Sequence, residues 1–246
     1  MTISQSSEVV WINGVGAIAG LGAALARRFA QGGYKVVVSG RSPEKLRAVV
    51  DDIQAQGGQA VALPGDAGSE ADILAAVKHI KTLGPLKVAI FNVGNSVAAP
   101  TLELSAELFE QTWRASTFGG FLFGREATRV LLDNGGGTLL FTGATASLRG
   151  KPPFVAFAAA KAGLRSLSQT FAREFGPLNV HVAHVIIDGG INGERMRSYA
   201  PQRLEQLGDD GSLGLEDIAD AYWYLHTQPR SAWTQELDLR PYKEAF

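Results

Sequence analysis

Cysteine is absent from the 246-residue chain, which excludes a disulfide framework, thiolate zinc ligation and thiol catalysis together. An excess of one charge is missing too: 23 Lys and Arg stand against 24 Asp and Glu, a formal net charge of -1. Such a surface has no long-range field to draw it to a phosphate backbone or anionic lipid, so neither nucleic acid nor membrane is an expected partner. No apolar run approaches the roughly 18 residues of a membrane span. The start, Met1 to Glu8, is polar and acidic rather than basic and then apolar. These absences predict a soluble, cytoplasmic protein. Two local gaps bear on chemistry: no Tyr lies between Lys35 and Ser198, and no Asp or Glu between Ala23 and Pro43.

What is present is a 46% hydrophobic chain, long enough for one full core. Short β-rich runs alternate with segments of helical period along its whole length, the mark of βαβ units and a parallel sheet. Val9 to Asn13, Lys35 to Ser39, Gln59 to Pro64, Leu86 to Asn92, Thr138 to Thr142, Val180 to Ile187 and Ala232 to Leu239 read as strands. The valines of Lys35 to Ser39 are apolar on both faces, as in a sheet covered on both sides. Helices are expected after Gly20, from Ser42-Pro43-Glu44 to Gly57-Gly58, from Ser69, over about Ser105 to Leu132, over Phe154 to Phe175 and over Leu215 to Leu225. The pattern predicts one α/β domain over 1–246, a Rossmann-type doubly wound parallel sheet of about seven strands. The least regular stretch, 189–214, is either a segment that covers substrate or a plain surface loop.

Gly16, Gly20 and Gly22 form a G-x-x-x-G-x-G pattern between the first strand and a helix that opens at Leu21. Glycines there permit a tight turn, close approach of backbone to a pyrophosphate and close helix packing, and the helix N-terminus offers unpaired N–H groups to the anion. An acid about 20 residues on would hold a ribose 2′-hydroxyl. The chain has Ser39-Gly40-Arg41 instead, and a guanidinium beside a hydroxyl suits a 2′-phosphate. NADP(H) is therefore expected over NAD(H), with Arg41 as a solvated charge the alternative.

The order of these features resembles the short-chain dehydrogenase/reductase superfamily over nearly the whole chain. Its first loop usually reads T-G-x-x-x-G-x-G, and Val15 stands at the Thr. Asp66 follows the third strand where the family places an aspartate near adenine, and Asn92-Val93-Gly94 is similar to the end of N-N-A-G, with Phe91 at its first Asn. Phe157 and Lys161 hold the spacing of Y-x-x-x-K, and Asp188-Gly189 stands where Pro-Gly follows the sixth strand. In the family, the Tyr gives a proton to a carbonyl as hydride arrives, the Lys holds the nicotinamide ribose, a Ser orients substrate and an Asn supports a water relay. Here Phe157 has no hydroxyl, Ala144 falls at the Ser with Thr145 beside it, and Ser116 falls at the Asn.

The resemblance implies an NADP(H)-dependent oxidoreductase acting on a small organic carbonyl, alcohol or activated C=C with a non-standard proton donor. A catalytically degenerate sensor, or a lyase or isomerase on the same fold, is the alternative. Thr145, Ser116 and Tyr199 are the candidate replacements, and Lys161 is expected at the ribose. Phe157, Ala144 and Asp188 are expected to line the substrate pocket. Asp188, beside Gly189 at the cofactor, either orients carboxamide, donates a proton if burial raises its pKa, or caps a turn.

His181 and His184 are expected to face the side opposite Val182 as satisfied core histidines, and no metal site is expected. Arg125 and Arg129 are read as surface or subunit-interface residues. Trp223, Tyr224 and Trp233 suggest a homodimer or homotetramer, although core packing accounts for them equally.

Overall fold

The computed structural model describes residues 8–94 and 96–244; the reading of the start of the chain falls on Met1–Ser7, outside the described residues. Seven strands form one parallel sheet: β1 (Val9–Asn13), β2 (Lys35–Gly40), β3 (Gln59–Pro64), β4 (Leu86–Phe91), β5 (Gly137–Thr142), β6 (Val180–Ile187) and β7 (Glu236–Leu239). Their order is β3-β2-β1-β4-β5-β6-β7. The chain winds outward from β1 to β3, then returns to lay β4 on β1's other side. That reversal opens a crevice at the carboxyl ends of β1 and β4, where open α/β sheets bind ligands.

Both faces of the sheet are buried, which is why its strands read as continuous apolar runs. Helices α1 (Leu21–Gln31), α2 (Pro43–Ala55) and α9 (Leu215–Thr227) cover one face, where Leu25, Phe29, Leu46 and Tyr222 pack on Val36, Val38 and Val185. On the other lie α3 (Glu70–Leu83), α5 (Gly119–Asp133) and α6 (Val155–Phe175), whose Ile73, Phe123 and Phe171 join Trp11, Phe91 and Phe141. Ser42, Ser69 and Ser105 accept backbone N–H bonds at the starts of α2, α3 and α4 (Ala106–Trp113), as their N-cap sequences predict.

The single helix expected over 105–132 is divided. Between α4 and α5 a π turn, Arg114–Phe118, inserts an extra residue, a distortion that recurs at functional sites. Thr117 Oγ1 donates to Ala160 O at 2.8 Å and so ties this turn to α6 directly before Lys161. The irregular stretch 189–214 carries two short helices, α7 (Glu194–Tyr199) and α8 (Pro201–Leu207). Glu194 N–H bonds Ala19 O at 2.8 Å and Arg195 Nη2 bonds Ser96 O at 3.1 Å, so the segment reaches across the crevice from the first loop to the loop after β4.

One side-chain placement corrects the sequence reading. Residues three apart on a strand point to opposite faces, so His184 shares the face of Val182 and His181 does not. His181 stacks on Trp233 at 4.8 Å and bonds Thr234 O. Trp223 packs against Phe29 and Tyr34 inside the fold. Arg125 pairs with Glu70 and Glu126, and Arg129 with Glu126.

Candidate active site

A groove of about 690 Å³ follows the carboxyl ends of β2, β1 and β4. Gly16, Arg41, Asp66, Asn92 and Gly94 all line it, so five residues from four separate stretches of sequence meet in one place. Gly20 N-caps α1, and Leu21 and Gly22 form its first turn, which contains no acid. A Cβ on Gly22 would stand 2.9 Å from Val15 Cα, so the glycine lets the helix press against its own loop. Gly14, which the motif reading passed over, also lines the groove. Its φ of +93° and the 2.6 Å from a would-be Cβ to Val93 N both demand glycine, and it brings the β1 loop against the β4 loop.

Asn92 acts as a clasp here. Its Nδ2 donates to Gly14 O at 3.1 Å and its Oδ1 accepts from Thr142 Oγ1 at 3.1 Å, joining the ends of β1, β4 and β5. Asp66 Oδ1 accepts from Gly68 N–H at 2.8 Å, closing the turn before α3. At the far end, the hydroxyl near Arg41 is not that of Ser39. Ser39 is buried, takes the Trp11 indole N–H at 2.8 Å and faces Ile12 O. The exposed end of β2 instead offers Arg41, Ser42 and Lys45, all on the groove. Lys45, which sequence reasoning missed, lies in the first turn of α2, and its position four residues past Arg41 is the signal that could have found it.

Lys161 is carried by α6 and is 3% exposed. Its Nζ donates to Thr142 O at 2.8 Å and Val93 O at 3.1 Å. A Cβ on Gly94 would lie 3.0 Å from Nζ, so the amine sits at the groove wall. Burial disfavours the ammonium and brings its pKa down to about 7. Phe157, one turn earlier and half-buried, places its ring centroid 5.9 Å from Nζ.

The remaining site residues are tied elsewhere. Thr145 Oγ1 donates to Asp188 Oδ1 at 2.6 Å. Asp188 has no exposed side-chain surface, but two partly exposed guanidiniums cover it: Arg149 at 2.9 Å and Arg240 at 3.1 Å. Burial would raise its pKa, but the Thr145 hydrogen bond and both cations outweigh it and hold the carboxyl below the usual range. Asp188 is thus an anion and not the proton donor that burial alone would make it, and Gly189 leads the chain away against Pro241.

The Ala144 N–H donates to Ser147 Oγ at 3.1 Å and closes the turn that carries Thr145. Ser116 lies in the π turn, 2% exposed, its hydroxyl without a hydrogen-bond partner among the described residues. Tyr199 is 85% exposed on α7, and no bond brings it to Lys161 among the described residues. Sequence reasoning missed Arg149 and Arg240, which reach Asp188 from loops far apart in the chain. No group of acids and histidines suited to a metal occurs among the described residues, and no helix among them is long and apolar enough to cross a membrane.

The comparisons agree with this architecture. The family model for short chain dehydrogenase matches residues 9–203. Glucose 1-dehydrogenase of Gluconobacter oxydans is 31% identical over 170 residues, 68% of this chain and 64% of that protein. A short-chain dehydrogenase from Rhodopseudomonas palustris superposes with a TM-score of 0.83 at 40% identity, covering 96% of this chain and 100% of that one. A metagenomic short-chain oxidoreductase in complex with NADP superposes at 0.81 with 24% identity, over 96% of this chain and 98% of its own, a likeness of fold. With a seven-stranded Rossmann sheet and a glycine-lined groove at its switch point, the chain belongs to the short chain dehydrogenase family of oxidoreductases.

Proposed function

We propose that this protein is an NADP(H)-dependent oxidoreductase that transfers hydride to or from a small organic carbonyl, alcohol or activated C=C, with a proton donor other than a tyrosine. The observation that carries the reading is a groove with cationic Arg41 and Lys45 at one end and the Lys161 amine against its wall at Gly94. The residues present fit a phosphorylated dinucleotide. A Cβ on Gly16 would meet no atom within 4 Å, so the loop is open to a ligand, and the acid-free start of α1 presents N–H groups and a positive dipole end.

In this reading Gly16, Gly20, Leu21 and Gly22 hold the pyrophosphate, Arg41 and Lys45 the 2′-phosphate, Asp66 the adenine side, and Asn92 and Gly94 shape the ribose side. Lys161 faces the nicotinamide ribose. The nicotinamide supplies or accepts the hydride when bound. Phe157 and Ala144 wall the substrate side, Asp188 fixes the loop that bears Thr145, and 189–214 excludes water from above. A homo-oligomer completes the reading. The exposed aromatics that support it are Phe109, Trp113 and Phe121 on α4 and α5, each more than a third exposed, and Tyr224 on α9, next to Trp223, which packs against Phe29.

Equilibrium titration with NADPH and NADH, followed by tryptophan-to-nicotinamide energy transfer, tests the proposal. NADPH is expected to bind much more tightly, and Arg41→Ala to weaken NADPH by about 10- to 100-fold, the worth of a charge-assisted hydrogen bond, with NADH unchanged. Saturable binding of neither nucleotide refutes it.

A further inference from the structure

We propose that Lys161 itself is the acid of the reaction, its Nζ delivering a proton to the substrate oxygen on the side where Phe157 offers no hydroxyl. The inference rests on the oxidoreductase reading and names the donor that reading leaves open.

Hydrogen bonding at the site narrows the choice. Thr145 has one proton and gives it to Asp188, which is itself held as an anion by Arg149 and Arg240. Ser147 is committed as well. Its partner His184 places Nδ1 3.2 Å from Glu236 Oε2, and Glu236 is kept ionised by its bidentate bond to Arg165. Nδ1 must therefore carry the proton, leaving Nε2 to accept from Ser147 Oγ at 3.4 Å. Thr142 Oγ1 is shared between Asn92 and Tyr222, whose phenol burial pushes up. Ser116 is an aliphatic alcohol with no base beside it, and Tyr199 stands in solvent. Lys161 is different on each count. It uses two N–H groups on Thr142 O and Val93 O, an ammonium has three, and the amine abuts the groove at Gly94.

The step balances within the groups named. Hydride from the reduced nicotinamide adds to the carbonyl carbon and the π pair moves to oxygen. The Nζ–H bond breaks as the O–H bond forms, leaving a neutral amine and an oxidised nicotinamide. Solvent then reprotonates the amine. Its lowered pKa, about 7, suits both halves of that cycle at neutral pH. The charged groups around it are accounted for: His184 on β6 is neutral above about 4, Glu236 on β7 and Arg165 on α6 neutralise each other, and Arg114 on the π turn stacks over Phe118. From the β4 loop and β5 it receives only carbonyls.

Three measurements on the full chain test this. Competitive acylation with acetic anhydride across pH 5 to 11, read by mass spectrometry on the apo protein, is expected to titrate Lys161 near 7 and not near 10. The pH dependence of kcat/KM for carbonyl reduction, which reports the acid of the free enzyme, is expected to fall tenfold per unit above that same value. Lys161→Arg keeps a cation that does not deprotonate. It is expected to bind NADPH within a few-fold of the parent while kcat drops about 10²- to 10⁴-fold.

A flat kcat/KM profile from pH 6 to 9, or an Arg variant with full kcat, overturns the proposal even if NADPH binds as expected. Should the Arg variant fail to fold, the labelling and the parent's pH profile still decide. A parent that binds NADPH but turns over no carbonyl at any pH overturns it as well. Failure to bind either nucleotide instead fells the oxidoreductase reading on which it stands.

Discussion

Replacing Asp188 by Asn removes one negative charge and almost no volume from the point where three loops meet. Asp188 Oδ1 and Oδ2 together receive Thr145 Oγ1 at 2.6 Å, Arg149 Nη2 at 3.1 and 2.9 Å, and Arg240 Nη2 at 3.1 Å. Taking one partner from a buried ion pair costs about 3–5 kcal/mol, because the other charge is left uncompensated. The two arginines keep 28% and 19% of their side-chain surface, so water screens them and the loss is discounted to about 2–3 kcal/mol.

At about 2–4 °C per kcal/mol for a domain of this size, Tm is expected to fall by roughly 5–10 °C. Urea unfolding at pH 7 should show a lower midpoint with an unchanged m-value. The folded-state pKa of Asp188 lies below its unfolded value, so its contribution is complete above the unfolded pKa and is lost as pH falls through the folded one. The difference between parent and Asp188→Asn should therefore hold steady from pH 5 to 9. A loss under about 1 kcal/mol would refute the reasoning and make Asp188 a surface ion pair of ordinary weakness.

Phe157→Tyr places a hydroxyl one helical turn before Lys161 and is expected to raise carbonyl reduction by at least about 10-fold, toward the range that a positioned acid supplies; steady-state kcat checks it, and no gain would mean that substrate does not approach this face of α6. Burial holds His184 and His226 neutral with pKa values of about 4, below the usual 6.5, so stability is full above 6.5 and falls as pH drops toward 4. Urea midpoints at pH 7 and 5 should show that fall, up to about 2–3 kcal/mol per pH unit if both rings bind protons only when unfolded, and equal midpoints would count against buried neutral imidazoles. Lys161 adds an alkaline counterpart, its lowered pKa making stability rise from pH 7 toward 10.

The groove proposed for a dinucleotide was legible in the sequence because it is built locally. Gly16, Gly20 and Gly22 lie within one strand-turn-helix unit, and Arg41, Asp66 and Gly94 each come within three residues of the end of a strand whose apolar run announces it. Parallel strands in register then carry those strand ends to one edge, so knowing the element order was enough to bring them together. Misreadings arose where direction mattered more than position. Ser39 and Arg41 are two apart, yet Ser39 points into the sheet toward Trp11 and leaves the groove to Ser42 and Lys45. His181 and His184, three apart on β6, lie on opposite faces because strand period is two.

The catalytic half depends on pairings across the chain that no local period records. Arg149 lies 39 residues before Asp188 and Arg240 lies beyond the next strand, so an isolated acid after β6 gave no sign that two cations would claim it. That pairing decides the chemistry. It commits the Thr145 hydroxyl, excludes Asp188 as an acid, and leaves the buried amine of Lys161 as the group at the groove wall with a proton to give near neutral pH. Lys161 is buried with carbonyls as its hydrogen-bond partners, which lowers its pKa and fits it to give up a proton as well as to face a ribose. Shared use in binding and proton transfer is the economy that the geometry allows.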